Sequence, residues 1–173
     1  MAAAVAALAL TGGCATKPKT DPDPASLSAF FAALTAFADR QTMTAATVRR
    51  IFEARLAPSD SPSTQSFLPL NPEARYPVDL LELSTTDAGV QLDLFLGGRC
   101  ITLGEVEGEY GKGGTAAAIP DFGGSERAYQ LPATAHGRPT GLNYQLAFEF
   151  LGAGRCVTQI TISHQPLASA HRP

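Results

Sequence analysis

The chain predicts an α+β fold: two N-terminal helices packed on a largely antiparallel β-sheet, with one short helix inserted between strands. Three observations lead there. Apolar residues recur at three- and four-residue steps from Leu27 to Phe37 and from Val48 to Leu56, the period of helices buried on one face. Further along, the spacing switches to two, as in half-buried strands. Helices come first and strands after, the order of an α+β chain.

Asp23 caps the first helix, with Pro24 at its first helical position. Leu27, Phe30, Phe31, Leu34 and Phe37 form its apolar stripe, which ends near Asp39. Thr42-Met43-Thr44 starts the second helix. Val48, Ile51, Phe52 and Leu56 form its stripe, Arg49, Arg50, Glu53 and Arg55 face outward, and Pro58 closes it. From Ala57 to Pro77 the chain is rich in Pro and Ser and has no period, the mark of a long loop. Within it, Phe67, Leu68 and Leu70 either dock the loop to the body or offer a strip to a partner.

Asp79–Ser84 and Val90–Leu96 read as strands, the second with Leu92, Leu94 and Leu96 alternating against Gln91, Asp93 and Phe95. Thr102-Leu-Gly-Glu105 is a capping box. It opens a short helix that turns Leu103, Val106 and Tyr110 inward and stops at Gly111. Gly111–Gly124 reads as a Gly- and Ala-rich loop, Arg127–Leu131 as a strand, and Pro132–Gly141 as another loop. Tyr144–Leu151 and Cys156–Ser163 form a closing hairpin, with Leu146, Phe148, Phe150, Ile160 and Ile162 toward the core. Gln91-Leu-Asp-Leu-Phe-Leu-Gly, then Gly98-Arg-Cys-Ile-Thr102, is echoed by Gln145-Leu-Ala-Phe-Glu-Phe-Leu-Gly, then Gly154-Arg-Cys-Val-Thr158. Two diverged copies of one unit, or two strands obeying the same turn and pairing rules, both account for the echo.

Thirteen Lys and Arg against 16 Asp and Glu leave a net charge of −3, neither a nucleic-acid footprint nor a disordered composition. With no Trp, 16 Gly and 13 Pro, the core should be modest and its connections long. Gly108-Glu-Tyr-Gly-Lys-Gly-Gly-Thr115 fails as a phosphate loop, because Val106 and Gly113 occupy positions that the motif reserves for Gly and for Ser or Thr. There is no Gly-x-Ser-x-Gly elbow. Ser163 and His164 are adjacent on a strand and therefore point to opposite faces. Glu105, Glu107 and Glu109 read as a solvated helix surface, or as an acidic contact patch with Asp121 and Glu126. No catalytic residue, metal site or cofactor follows from these patterns.

The start of the chain is informative about location. Met1–Leu10 is apolar and uncharged; as a helix it reaches about 15 Å, half of a roughly 30 Å hydrocarbon core. That length suits a signal-peptide h-region. Leu10-Thr-Gly-Gly-Cys14 resembles the signal of bacterial lipoproteins. The resemblance implies cleavage before Cys14 and fatty-acyl chains, palmitate among them, on Cys14. It also implies a periplasm-facing place in the cell envelope. Ala15 after the Cys favours the outer membrane by the same analogy. Ala15–Pro24 is polar with three Pro, a semi-rigid spacer. The expected organisation is a leader at 1–13, a lipidated tether at 14–24, one α+β domain at 25–165 and a tail at 166–173.

With Cys14 set aside, Cys100 and Cys156 remain. In an exported chain the pair is most simply a disulfide, worth about 3–4 kcal/mol, and two free thiols are the competing reading. The three His are too scattered to add metal ligands. Thr42-Met43-Thr44-x-x-x-Val48 is similar to the helix-start motif of small envelope lipoproteins of the SmpA/OmlA type and of the β-lactamase-inhibitor-like fold. That similarity implies a helix pair on an antiparallel sheet that binds proteins. The expected function is a non-enzymatic protein-binding module, an envelope-assembly accessory or an inhibitor or immunity protein. Its partner is another envelope or periplasmic protein, bound through Phe67 and Leu68 or through Glu105, Glu107 and Glu109. The alternative is a small-ligand or lipid-binding lipoprotein.

Overall fold

The computed structural model describes residues 24–38, 43–58, 61–70, 78–86, 89–97, 100–119, 123–135, 138–151 and 156–165. Residues 1–23 and 166–173, which hold the expected leader, Cys14, the spacer up to Asp23 and the tail, lie outside them. The described elements, in chain order, are α1 (Pro24–Ala38), α2 (Ala45–Ile51), β1 (Ala54–Leu56), β2 (Thr64–Pro69), β3 (Val78–Thr86), β4 (Gly89–Leu96), α3 (Leu103–Tyr110), β5 (Thr115–Ile119), β6 (Gly124–Ala135), β7 (Arg138–Phe150) and β8 (Gln159–Gln165). The fold is mixed α+β with strands dominant. Every neighbouring pair in the eight-stranded sheet is antiparallel, and the order is β1-β2-β3-β4-β8-β7-β6-β5. Among the described residues no helix is long and apolar enough to cross a membrane.

The first helix follows its stripe: Leu27, Phe30, Phe31, Leu34 and Phe37 are all buried. In α2 the Thr44 hydroxyl accepts the Thr47 amide at 3.3 Å, a one-residue N-cap. This helix is shorter than its apolar pattern suggests. It ends at Phe52, and Glu53 takes a left-handed φ of 47°. Ala54–Leu56 then pair with Phe67–Pro69 instead of continuing to Pro58. A last helical turn before a proline leaves carbonyls open; pairing with β2 satisfies this backbone. Leu56, expected in the helical stripe, is 57% exposed at the sheet edge.

Three expected loops contain strands. The 57–77 stretch holds β2, whose Phe67 lies opposite Leu81 and is 0% exposed, so Phe67 is core rather than a partner strip. The 111–124 stretch holds β5, paired with β6. The 132–141 stretch is the far end of β6 and the near end of β7, with a register shift between Pro132 and Thr134. Proline has no amide to donate, and a bulge is where a strand tolerates it.

Phe148 on β7 ties the helices to the sheet. Its ring centroid lies 6.5 Å from Phe31 of α1, 5.5 Å from Tyr110 of α3 and 6.1 Å from Tyr129 of β6. The capping box of α3 is complete: Glu105 Oε2 accepts the Thr102 amide at 2.7 Å, and Thr102 Oγ1 accepts the Glu105 amide at 3.3 Å. Gly111, at φ 82°, ends that helix in a conformation that favours glycine. The Tyr129 hydroxyl donates to the Gly111 carbonyl at 3.0 Å and fixes the helix end over β6.

Cys100 and Cys156 are disulfide-bonded, 56 residues apart in sequence, with Cα atoms 4.8 Å apart. The bond sits where the chain enters β8. There the Val157 amide donates to Ile101, the Leu96 amide to Thr158 and the Thr158 amide to Glu149, at 2.8–2.9 Å. β8 is thus stitched to β4 on one side and to β7 on the other.

The strand order reads the same from both ends when β1–β4 is exchanged with β5–β8. Each set of four strands follows a short Thr-capped helix bearing a fully buried Val four residues after the cap, Thr44 with Val48 and Thr102 with Val106. In strand order, the β4–β8 seam acts as a two-fold axis between the halves. The sequence echo does not follow this axis. It matches β4 with β7, which run the same way on the two sides of β8, with their preceding strands β3 and β6 on opposite sides. A duplicated unit would keep its preceding strand on the same side, so the echo reflects shared pairing rules.

Two outcomes test this fold. Replacing both Cys100 and Cys156 by Ala should lower the unfolding free energy by about 4 kcal/mol, the loop-closure entropy released, as read by urea denaturation. Phe148→Ala should cost about 3–5 kcal/mol in the same measurement, as a fully buried ring that touches both layers is removed.

Candidate functional site

The buried side chains of the sheet and helices make one core cluster, so all three helices lie on one side of the sheet. No described helix covers the other side. Directly paired residues share a face, which lets the uncovered face be read as rows. Glu82, Asp93, Thr161, Ala147 and Ala128 form one row, running from β3 to β6. Phe95, Gln159, Glu149 and Glu126 form the next, and Ser84, Gln91, Ser163, Gln145 and Gln130 the one beyond.

The middle of this face is a groove of about 340 Å³, lined by Gln91, Glu126, Gln145, Ala147, Glu149, Gln159, Thr161 and Ser163. Three of its lining side chains are held by Asp93, which is only 8% exposed and lies beside the groove. Thr161 Oγ1 donates to Asp93 Oδ1 at 2.7 Å, and Gln159 Nε2 donates to the same oxygen at 3.2 Å. Gln91 Nε2 donates to both carboxylate oxygens, at 3.0 and 2.8 Å. One buried carboxylate therefore fixes side chains on its own strand and on β8. Such charge-assisted bonds hold rotamers firmly.

Glu149 differs. Burial raises its carboxyl above the usual value, and the charges of Glu126 and Asp93 push in the same direction. Ser163 lines the groove, whereas His164 turns to the helix side, stacks on Tyr144 at 6.3 Å and donates from Nε2 to the Ala38 carbonyl at 3.3 Å. No nucleophile–base pair arises from these neighbours. Among the described residues no three His, Cys, Asp or Glu side chains converge as a metal site needs. The groove can accept cations and exchange hydrogen bonds through its amides and hydroxyls.

The residues expected to bind are scattered. Leu68 is half-buried on the uncovered face, in register with Arg55, away from its buried neighbour Phe67. Glu105 is occupied as the capping carboxylate of α3. Glu107 pairs with Arg127 at 3.4 Å on the helix side, and Glu109 is exposed. Glu126 does not join them: it is a strand residue one step from Arg127 and therefore faces the opposite side. Asp121 lies outside the described residues. The groove itself escaped the sequence reading. Its signal was present in the polar alternates Gln91 and Asp93, Gln145 and Glu149, and Gln159, Thr161 and Ser163, but strand order is needed to bring them together. A scan for known protein families, and searches of characterised proteins and of solved structures, return no match to this chain.

The raised carboxyl of Glu149 gives a pH signature. Between the ordinary carboxylate value of 4.5 and its folded value, the unfolded chain loses this proton first, so stability falls as pH rises. Glu149→Gln should therefore raise the Tm at pH 7 by roughly 1–4 °C. The gain should shrink toward zero below about pH 4, where the native carboxyl is protonated. Thermal melts of both proteins from pH 3 to 8 check it.

Proposed function

We propose that this chain is a membrane-anchored, periplasm-facing lipoprotein that acts as a non-enzymatic protein-binding module, with the uncovered face of its sheet as the docking surface. The observation that carries the reading is that face: the described helices occupy one side of the sheet, while the other presents a polar groove whose side chains are held by Asp93. The Leu10-Thr-Gly-Gly-Cys14 signal supports the anchor, and the Cys100–Cys156 bond is what an oxidising compartment favours. Amides, hydroxyls and carboxylates line the groove, which suits a protein surface better than a lipid, since a lipid carrier needs a deep apolar cavity. The partner is another envelope or periplasmic protein, and its identity decides between an assembly accessory and an inhibitor or immunity protein.

The test is capture of partners from the native envelope by the full chain, with mass spectrometry of its mature N-terminus. A lipidated Cys14 and one stoichiometric protein partner are the expected result. Cys14→Ala should release the protein from the membrane fraction, and Ser163→Trp, which fills the groove, should lose the partner without lowering the Tm by more than a few degrees. An unmodified N-terminus would sink the anchor, and a partner still held by Ser163→Trp would sink the docking face.

A further inference from the structure

The uncovered face carries like charges where sheets ordinarily avoid them. Glu126 on β6 stands directly opposite Glu149 on β7, and Glu82 on β3 stands directly opposite Asp93 on β4. Opposed like charges weaken a sheet, so both pairs are held against their own repulsion. They flank β8, which places only the neutral Gln159 and Thr161 between them. Among the described residues no lysine or arginine forms an ion pair with any of these four carboxylates. Arg127, next to Glu126 in sequence, is turned to the other face, where it pairs with Glu107. Asp93 is hydrogen-bonded by neutral donors, which hold its charge without cancelling it.

The arrangement selects the kind of cation. No three of the groups converge as metal ligands would. Strands lie about 4.8 Å apart and same-face neighbours along a strand about 6.8 Å, so Asp93 and Glu149, the inner members of the two pairs, two strands and one row apart, are separated by on the order of 12 Å. That is the spacing of basic side chains along a peptide segment, not of oxygens around one ion. We propose that the Glu126–Glu149 and Glu82–Asp93 pairs form a docking site for a basic segment of the protein partner, with lysine or arginine side chains seated over each pair. The inference rests on the protein-binding reading given above and names the partner's chemistry. A guanidinium can bond the more open carboxylates, Glu82, Glu126 and Glu149, through two parallel N–H groups, while the buried, already hydrogen-bonded Asp93 adds its charge from beside them; binding removes a repulsion that the free protein carries. Opposite charge on the partner also speeds encounter.

The probe is acetyl-tetraarginine amide, with the uncharged tetracitrulline peptide as its control, titrated into the full chain in non-ionic detergent and followed by NMR. Saturable shifts are expected at Glu82, Asp93, Glu126 and Glu149 with the arginine peptide alone, weakening about tenfold between low and physiological salt as screening grows. The Glu126→Gln/Glu149→Gln double variant should bind at least about fivefold more weakly while melting higher than the parent, and Glu109→Gln on α3 should bind unchanged. Equal binding of the citrulline peptide, shifts confined to the helix side, or undiminished binding by the double variant would overturn the site. An envelope partner lost with Ser163→Trp but indifferent to the double variant overturns the cationic site alone. Capture of no envelope partner overturns the protein-binding reading beneath it.

Discussion

Burial on one side only is the constraint from which the sheet follows. The three described helices pack on one face of the sheet's middle strands, and α1 and α3 meet that face around Phe148. Each central strand must then alternate, apolar toward the helices and polar away. Leu92 and Leu94 with Asp93 between them, Leu146 and Phe148 with Ala147 between them, and Ile160 and Ile162 with Thr161 between them obey this rule on three adjacent strands. A one-residue slip in any of them would drive carboxylates and amides into the core. Register, core and groove are three consequences of one requirement.

That requirement also decides what the sequence reveals. Where a stretch has one buried face and one solvated face, as in α1, β3, β4 and the β7–β8 hairpin, the period is plain and the element is legible. The strands it conceals lack the contrast. β5 is Thr-Ala-Ala-Ala-Ile at the sheet edge, exposed along nearly its whole length, so it has no apolar side to mark. β2 contributes one fully buried side chain, Phe67, between Pro- and Ser-rich flanks. The far ends of β6 and β7 pass through Pro132 and Pro139, which look like loop punctuation until a partner strand is there. The groove is hidden for a different reason. Its residues come from four strands whose neighbourhood depends on β8 lying between β4 and β7, and nothing local encodes that placement.

The two halves of the fold meet at the groove. Asp93 and Gln91 come from the first, and Gln159, Thr161, Glu149 and Glu126 from the second. Neither half holds the constellation alone. The strand order is symmetric about the seam, yet the charges beside it are not: β4 carries Asp93 where β8, its counterpart in that order, carries Thr161 and Gln159. The halves share a frame, and the surface has been specialised across it.

The position of β8 also sets a timetable for folding. These seven residues are the last of the described strands and the one that the middle of the sheet waits for. Until they arrive, β4 and β7 both present open backbone edges, the kind that pair with other chains. Closing the sheet means bringing Gln91 to Ser163 across most of the second half of the chain, a long-range contact that slows folding. The Cys100–Cys156 bond lies just before β8. A bond formed before the sheet closes would shorten the search to the few residues that follow it, and with them the time for which the half-built sheets stay open.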